Sequence, residues 1–279
     1  MATSDDDDAG AKEHFEDVAL YDFEYRRRRA DVNFYRRLVN DRMSFPDPGP
    51  VLDLACGSGR LLVPLLHDGH TVVGIDRAPA MLAAAARRVA RLSAGQRARA
   101  LLARGDLRQL ALEPRFAIAL VAFHSIQHLV SDAELVEFLR AVAASLTPAG
   151  WVAFDVLPPD PRWLDRSDDR RWARTAFRHP STGERLVYTT NSRYDVDRRV
   201  LHMRLYYQPV DEQGRPMGQE RTVRLSHRQL WPADVKQLLE TAGFQLIGAF
   251  GDFDGNPIPD GDGLPADEHV YVARLARSP

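Results

Sequence analysis

The sequence predicts an α/β protein with a seven-stranded, mostly parallel sheet, helices on both faces of that sheet, and a β-rich antiparallel insertion. Three observations support this prediction. Apolar runs alternate with helical segments between residues 51 and 157, strand-like alternation takes over at about residue 160, and a helix followed by further apolar runs ends the chain. Repeated β-α units of this length imply a parallel sheet that is covered by helices on both faces.

The N-terminal segment is expected to lie outside this sheet. Residues 1–12 include four successive aspartates, which repel one another and bury no surface, so they predict a disordered acidic tail. Residues 13–45 are predicted to form a helical cap, whose helix runs from about residue 13 to about residue 40. Prolines then end this segment before the first strand.

The first part of the core, residues 46–159, contains five of the predicted strands. Each is a short apolar run, which is typical of a buried parallel strand. The five runs are residues 51–55, 71–76, 99–103, 116–123 and 151–157. Helices are predicted at 61–67, at 78–92 and after Ser131, which forms a capping-box pattern with Glu134.

The period of the apolar residues changes in residues 160–230, which predicts a β-rich substrate lid inserted into the core. Three runs alternate there like antiparallel strands, at 185–194, 200–209 and 219–228. Residues 231–279 return to the core with a helix in which Pro232 suits the first turn and Gly243 the C-terminal cap. The last predicted strands are residues 244–250 and 269–275.

Composition narrows the classes of function. The 279 residues carry a formal net charge of −2, so there is no general excess of positive charge to hold a nucleic-acid backbone. No apolar run is long enough to span a membrane, no signal-peptide pattern is present, and a single cysteine excludes an internal disulfide. We therefore expect a cytoplasmic monomer or homodimer that acts on a small molecule, without nucleic-acid or membrane partners.

A glycine loop follows the first predicted strand, at the edge where open α/β sheets bind ligands. Gly57 and Gly59 lack Cβ atoms, so the backbone can approach a ligand closely, and the next helix offers free N–H groups to it. Dinucleotides such as nicotinamide cofactors are a competing interpretation. Their fingerprint needs a third glycine, and that position is occupied by Leu62.

Two aspartates follow the next two strands. Asp76 ends the second strand, 19 residues after Gly57, where a carboxylate can accept both hydroxyl protons of a ribose. Asp106 follows the third strand and could accept a hydrogen bond from an adenine amino group. Each aspartate taken alone could be only a loop or helix-cap residue. Together with the loop, they predict a site for an adenosine without a pyrophosphate.

These segments resemble the motifs of the class I S-adenosylmethionine-dependent methyltransferases. VLDLACGSGR (51–60) is similar to the first motif of that family, VVGIDRAPAML (72–82) to the second, and RGDLRQL (104–110) to the third. FAIALVAFHSIQHL (116–129) is similar to the fourth. The resemblance covers about residues 20–160 and the C-terminal strands, and it implies a Rossmann-like fold with S-adenosylmethionine as cofactor. No metal site is predicted.

The resemblance also implies which residues contact the cofactor. Gly57 and its neighbours would face the methionine part, Asp76 the ribose, and Met81 the face of the adenine ring. Asp106 and Leu107 would face the adenine edge. The complete predicted set is Asp53, Ala55, Cys56, Gly57, Gly59, Asp76, Arg77, Met81, Asp106, Leu107 and Phe123.

The predicted catalytic residues are His128, His124 and Tyr21. Histidine titrates near neutral pH and suits general-base work. His128 resembles in position a histidine that small-molecule N-methyltransferases, including sugar-amine N,N-dimethyltransferases, place after their fourth strand in a motif close to Ser-Ser-Ile-Gly-His. This chain differs from that motif at His124 and Gln127. Tyr21 resembles a tyrosine that reaches the acceptor pocket, although core, capping or helix-packing roles stay open for all three.

These patterns predict an enzyme that transfers the methyl group of S-adenosylmethionine to a nitrogen or oxygen of a small-molecule acceptor by in-line displacement. His128 and Tyr21 favour an amine acceptor. Two alternatives stay open at this point. One is O-methylation of a hydroxylated natural product with His124 or His128 as base, and the other is a non-catalytic regulatory protein that binds the same cofactor.

Overall fold

The computed structural model describes residues 14–43, 49–113, 115–259 and 268–276. The chain divides into two compact units. The sheet unit comprises Arg28–Pro158 and the chain from Leu230 onward, and the small unit comprises the residues up to Arg27 together with Pro159–Gln229. The predicted acidic tail, residues 1–12, lies outside the described residues.

The sheet unit is built on a seven-stranded sheet. Its strands, numbered along the whole chain, are β1 (Val51–Leu54), β2 (Val72–Asp76), β3 (Ala100–Arg104), β4 (Phe116–Val121), β5 (Leu146–Val156), β10 (Phe244–Phe250) and β11 (His269–Leu275). Their order is β10-β11-β5-β4-β1-β2-β3. Among the described strands of this sheet, β11 pairs antiparallel with both β10 and β5, and the other pairings are parallel. The predicted mostly parallel, Rossmann-like sheet is therefore confirmed.

The strand order reverses direction at β1. The chain moves outward from β1 through β2 to β3 and then returns to β4 on the other side of β1. Asp53 in β1 consequently pairs in register with Gly74 of β2 and with Leu120 of β4. Open α/β sheets bind ligands at such a switch point, outside the carboxyl ends of the strands. The topology thus places the ends of β1, β2 and β4 beside one another.

Helices cover both faces of this sheet. In the sheet unit they are α2 (Ala30–Met43), α3 (Leu62–His67), α4 (Pro79–Ala90), α5 (Ala94–Arg97), α6 (Asp132–Ser145) and α8 (Pro232–Thr241). Two short 3₁₀ helices span Leu107–Gln109 and Ser125–His128. The predicted caps are present: the Ser131 hydroxyl accepts from the Glu134 amide, Pro232 opens α8, and Gly243 follows it at φ +86°.

Two apolar clusters fill the space between the sheet and these helices. Leu52 and Leu54 pack in the cluster that holds the buried faces of α6 and α8, whereas Val51 packs in the one that holds α2 and α3. Side chains alternate between the two faces of a strand, so β1 contributes to both clusters. Burying one such large aliphatic side chain contributes about 1.5–3 kcal/mol. This packing holds the strand ends in fixed positions.

The small unit contains a four-stranded antiparallel sheet with α1 packed on it. Its elements are α1 (Val18–Tyr25), α7 (Pro161–Leu164), β6 (Trp172–Arg178), β7 (Arg185–Asp195), β8 (Val200–Pro209) and β9 (Arg221–Arg228), with the strands in sequence order. Leu20 of α1 packs against Leu205 and Val223 of this sheet. Asp17, which caps α1, pairs with Arg221 at 3.1 Å. These contacts make α1 part of the small unit.

The N-terminal helix and strand β6 differ from the sequence-based expectations. The helix expected over residues 13–40 is divided into α1 and α2, because the chain passes from the small unit to the sheet unit between Arg27 and Arg28. Strand β6 was not predicted. Its pairing with β7 shifts register between Trp172 and Thr175, and such a bulge interrupts the two-residue alternation that identifies a strand. Within the described residues, no helix has the length and apolar character to cross a membrane.

Candidate active site

The loop after β1 has an unusual backbone. Ala55, Gly57 and Gly59 all have left-handed φ values, of 55°, 55° and 83°. For Ala55, which has a Cβ atom, this conformation costs about 1–3 kcal/mol, and such strain is concentrated at functional sites. A Cβ atom added to Gly57 would have no neighbour within 4 Å, whereas one on Gly59 would lie 3.3 Å from the Cβ of Ala85 in α4. Gly57 thus leaves the loop backbone open to a ligand, and Gly59 permits close helix packing.

Asp76, at the end of β2, closes this loop. Its carboxylate accepts hydrogen bonds from the amides of Gly57 and Ala78, each at 2.8 Å. The side chain is buried, and this burial raises the pKa of Asp76. Each carboxylate oxygen can accept more than one hydrogen bond, so the pair can also receive the two hydroxyls of a ribose. The structure therefore places Asp76 beside the glycine loop, as its predicted role requires.

Asp53, in the interior of β1, is a buried acceptor. Its side chain is 2% exposed, and Oδ2 has no hydrogen-bond partner among the described residues. Burial and the neighbouring charge of Asp76 raise the pKa of Asp53 to about 7. An unsatisfied buried polar group costs about 1–3 kcal/mol. The ammonium group of a bound methionine moiety would satisfy this carboxylate, so Asp53 fits the cofactor that the sequence predicts.

The predicted adenine-binding residues lie at the ends of β2 and β3. Asp106 caps the 3₁₀ helix that follows β3, with Oδ1 accepting from the Arg108 amide at 2.9 Å. Its Oδ2 lies 3.9 Å from Nη1 of Arg77. Leu107 is half-buried, and Met81 is fully buried in the first turn of α4. Asp106 thus has the capping role that its sequence context allows, and its contact with adenine stays a prediction.

A strained turn follows β4. Phe123 and His124 both have left-handed backbones, with φ values of 61° and 57°. The buried carboxylate of Asp155, near the end of β5, accepts both amide protons of this turn at 2.9 Å. The hydroxyl of Tyr35 in α2 also donates to Oδ1 of Asp155, at 2.5 Å. Asp155 and Tyr35 therefore hold the turn in a conformation that side chains with a Cβ rarely adopt.

His124 is part of a buried charge network. Its Nε2 hydrogen-bonds to Oε2 of Glu268 and lies 3.6 Å from Oδ2 of Asp155. Glu268 also accepts a hydrogen bond from Nη1 of Arg28 at 2.8 Å. Burial opposes the charged form of His124, but the hydrogen bond to Glu268 and the charge of Asp155 outweigh it and raise its pKa.

The same cluster brings the side-chain N and O atoms of His124, Asp155 and Glu268 within 4.8 Å of one another. Such a grouping could in principle bind a cation. We assign no metal to it, because the Arg28 guanidinium, the Tyr35 hydroxyl and Nε2 of His124 already donate hydrogen bonds to these carboxylates. The cluster is instead a closed ion-pair network.

The ring of Phe123 connects this turn to the glycine loop. It stacks on the His124 ring with centroids 5.3 Å apart, and the guanidinium of Arg60 lies 5.0 Å from its centroid. Arg60 follows the glycine loop directly and forms a two-pronged ion pair with Asp31 of α2. A contact between a cation and a ring face is worth about 0.5–2 kcal/mol. The loop after β1 and the turn after β4 are thus physically linked.

His128 and Gln127 lie in the 3₁₀ helix after this turn. The Gln127 side chain forms a pair of hydrogen bonds with the backbone of Leu157, at 2.8 and 3.1 Å, and so ties the helix to the end of β5. His128 is half-buried, and its carbonyl accepts from Arg108 at 3.0 Å. Its predicted role as a base stays a prediction.

The two remaining predicted site residues are Tyr21 and Cys56. Tyr21 lies in α1 of the small unit, where its ring packs edge-on against Tyr25 with centroids 4.8 Å apart. Its predicted reach to the acceptor stays a prediction. Cys56 is buried, and burial raises the pKa of its thiol, which disfavours a nucleophilic thiolate.

Comparison with known proteins supports the same assignment. Residues 51–150 match a family described as "Methyltransferase domain". Over 132 residues the chain is 36% identical to dTDP-3-amino-3,6-dideoxy-alpha-D-glucopyranose N,N-dimethyltransferase of Streptomyces fradiae. The aligned region is 47% of this chain and 47% of that protein. Residues 51–150 of the chain therefore form a methyltransferase domain. It spans about half the length of the curated relatives it matches.

Solved structures share the fold of this chain over most of its length. The CcbJ methyltransferase from Streptomyces caelestis aligns with a TM-score of 0.68 at 22% identity, covering 86% of this chain and 89% of that one. The sugar N-methyltransferase KedS8 from Streptoalloteichus sp. ATCC 53650 aligns with a TM-score of 0.67 at 23% identity, covering 93% of both chains. The predicted methyltransferase domain and the predicted Rossmann-like fold are confirmed.

Proposed function

We propose that this methyltransferase moves the methyl group of S-adenosylmethionine to the nitrogen of a small, amino-sugar-like acceptor. The observation that carries the proposal is the set of buried carboxylates beside the glycine loop, in which Oδ2 of Asp53 has no hydrogen-bond partner among the described residues and Asp76 braces the Gly57 amide. A ligand with a cationic end and vicinal hydroxyls matches this set. S-adenosylmethionine has both features.

Different residues at the strand ends would contact different parts of the cofactor. Asp53 and the backbone around Gly57 would hold its methionine part, and Asp76 would hold its ribose hydroxyls. Met81, Asp106 and Leu107 would surround its adenine, while Ala55, Cys56, Gly59, Arg77 and Phe123 would shape the pocket around it. When bound, the cofactor supplies an electrophilic methyl group on a sulfonium, and the protein aligns the acceptor for in-line displacement.

An amine acceptor needs a free electron pair, so a proton must leave its ammonium form before the methyl group is transferred. His124 and His128 follow β4 at the same edge of the sheet as the glycine loop, and either could take that proton. The relative from Streptomyces fradiae is named for an amino-sugar acceptor, and KedS8 is named as a sugar N-methyltransferase. These names support an amine acceptor of the sugar class. That the protein is a cytoplasmic monomer or homodimer stays a prediction.

Calorimetry and an acceptor pair test this proposal. The full chain should bind S-adenosylmethionine and its demethylated product. It should methylate dTDP-3-amino-3,6-dideoxy-alpha-D-glucopyranose, as seen by mass spectrometry, and should leave the sugar nucleotide with a hydroxyl in place of the amine unmodified. Transfer to the hydroxyl compound instead would establish O-methylation. Tight cofactor binding without transfer to a panel of amines and hydroxyls would establish the non-catalytic regulatory alternative.

A further inference from the structure

His124 is the residue at which this chain differs most clearly from the N-methyltransferase motif, and it has a partner that sequence spacing does not reveal. Glu268 lies 144 residues further along the chain, immediately before β11, and accepts the hydrogen bond from Nε2 of His124. Both side chains are about nine-tenths buried. A buried pair of this kind persists only when its geometry is well defined, because each group alone would be costly to desolvate.

The carboxylate determines which ring nitrogen of a neutral His124 carries the proton. Glu268 accepts a hydrogen bond, so the proton resides on Nε2, and Oδ2 of Asp155 at 3.6 Å favours the same arrangement. The other nitrogen, Nδ1, then presents an electron pair, because the side-chain hydrogen bond that His124 makes within the described part of the chain uses Nε2. A histidine held in one tautomer by a carboxylate is the usual arrangement of a general base.

We propose that Glu268 is a positioning residue for His124, which holds the proton on Nε2 and leaves Nδ1 as the proton acceptor during methyl transfer. The inference rests on the proposed function. An acceptor ammonium gives one N–H proton to Nδ1, and the nitrogen keeps the electron pair of that bond. This pair forms the new N–C bond, while the electrons of the breaking C–S bond stay on sulfur. His124 then returns the proton to water.

Several charged groups face His124 from the surrounding elements, and they act in opposite directions. Glu268 before β11 and Asp155 in β5 favour the protonated ring, whereas Arg28 before α2 disfavours it. The Tyr35 hydroxyl contacts Asp155, and the Phe123 ring stacks on the imidazole. The carboxylates prevail, so the pKa of His124 is raised. Removing Glu268 and removing Arg28 should therefore shift the protonation of His124 in opposite directions.

Nuclear magnetic resonance of the histidine side chains tests this inference without any acceptor. We expect His124 in the wild-type full chain to titrate above the ordinary histidine pKa of about 6.5, with its neutral form protonated on Nε2. In Glu268→Gln the midpoint should fall by about one pH unit or more. In Arg28→Gln, which replaces a half-exposed side chain and should fold, it should rise. Glu240→Gln, at an exposed glutamate of α8, is the matched control and should change neither value.

The pH dependence of turnover, measured with the amino-sugar nucleotide, provides the second readout. The pH of half-maximal rate should move with the His124 midpoint, downward in Glu268→Gln and upward in Arg28→Gln. A wild-type midpoint below the ordinary value, a neutral form protonated on Nδ1, or equal midpoints in wild type and both variants would overturn the inference. Opposite shifts of the midpoint in a protein that methylates nothing would support the pair and would refute only the proposed function.

Discussion

The two halves of the sheet edge differ in how far their buried charged groups are hydrogen-bonded within the protein. At the ends of β1 and β2, Oδ2 of Asp53 is buried without a partner among the described residues, and Asp76 keeps capacity for further donors. At the ends of β4 and β5, Asp155 receives three hydrogen bonds and His124 is matched to Glu268. A buried acceptor without a hydrogen-bond donor destabilises the folded protein unless a ligand supplies the donor. A network in which each buried group is hydrogen-bonded stabilises the residues around it and fixes their positions. We therefore call the first half the binding half, after its proposed role in binding the cofactor, and the second half the support.

The largest expected effect is on the free energy of unfolding and concerns the ends of β4 and β5. Asp155→Ala leaves the amides of the strained turn and the Tyr35 hydroxyl without their acceptor, and it leaves His124 with one carboxylate fewer. We expect the free energy of unfolding to fall by about 3–5 kcal/mol, as measured by urea denaturation. Asp41→Ala, at an exposed aspartate of α2, should change it by less than about 0.5 kcal/mol. An equally small change for Asp155→Ala would show that the turn does not depend on this carboxylate.

A smaller effect is expected on the binding half. Asp76→Ala removes the acceptor of the Gly57 amide and the proposed acceptor of the ribose hydroxyls. The affinity for S-adenosylmethionine should fall by about 1–3 kcal/mol in calorimetry. The Asp41→Ala protein should bind the cofactor like the wild type. If Asp76→Ala folds and binds with unchanged affinity, the carboxylate does not hold the ribose.

The smallest expected effect is on the pH dependence of stability and is caused by Asp53. The pKa of Asp53 is about 7 in the folded protein and about 3.9 in the unfolded chain. The folded state therefore retains a proton that the unfolded state loses between about pH 4 and pH 7, and this group makes the wild type less stable as the pH rises through that window. Asp53→Asn removes this titration.

Its stability relative to the wild type should accordingly increase by about 1 kcal/mol between pH 6 and pH 7, in urea denaturation at each pH. Its affinity for S-adenosylmethionine should decrease, because a neutral amide cannot balance an ammonium group. Asp41→Asn should show neither change. A pH-independent stability difference for Asp53→Asn would mean that Asp53 titrates normally in the folded chain.

The binding half could be predicted from the sequence because its residues follow their strands directly. Gly57 and Asp76 each lie within two or three residues of a strand end, and parallel strands bring their carboxyl ends to one edge. The support could not be predicted in the same way. Asp155 is the one acidic residue in the apolar run WVAFDVL, which is a signal that could have found it. Tyr35 and Glu268 have no local signal, because their partners lie 120 and 144 residues away along the chain.

The sequence by itself determined the alternation of strands and helices and the glycine loop. It also determined the aspartates at the end of β2 and after β3, and the family to which the domain belongs. These features are short-range, since a few neighbouring residues specify each of them. Only the tertiary structure decided that Asp155 holds the turn after β4, that Glu268 meets His124, and that α1 packs with the four-stranded sheet. Such contacts depend on where distant segments meet once the apolar clusters have packed, and a pattern read along the chain does not contain that information.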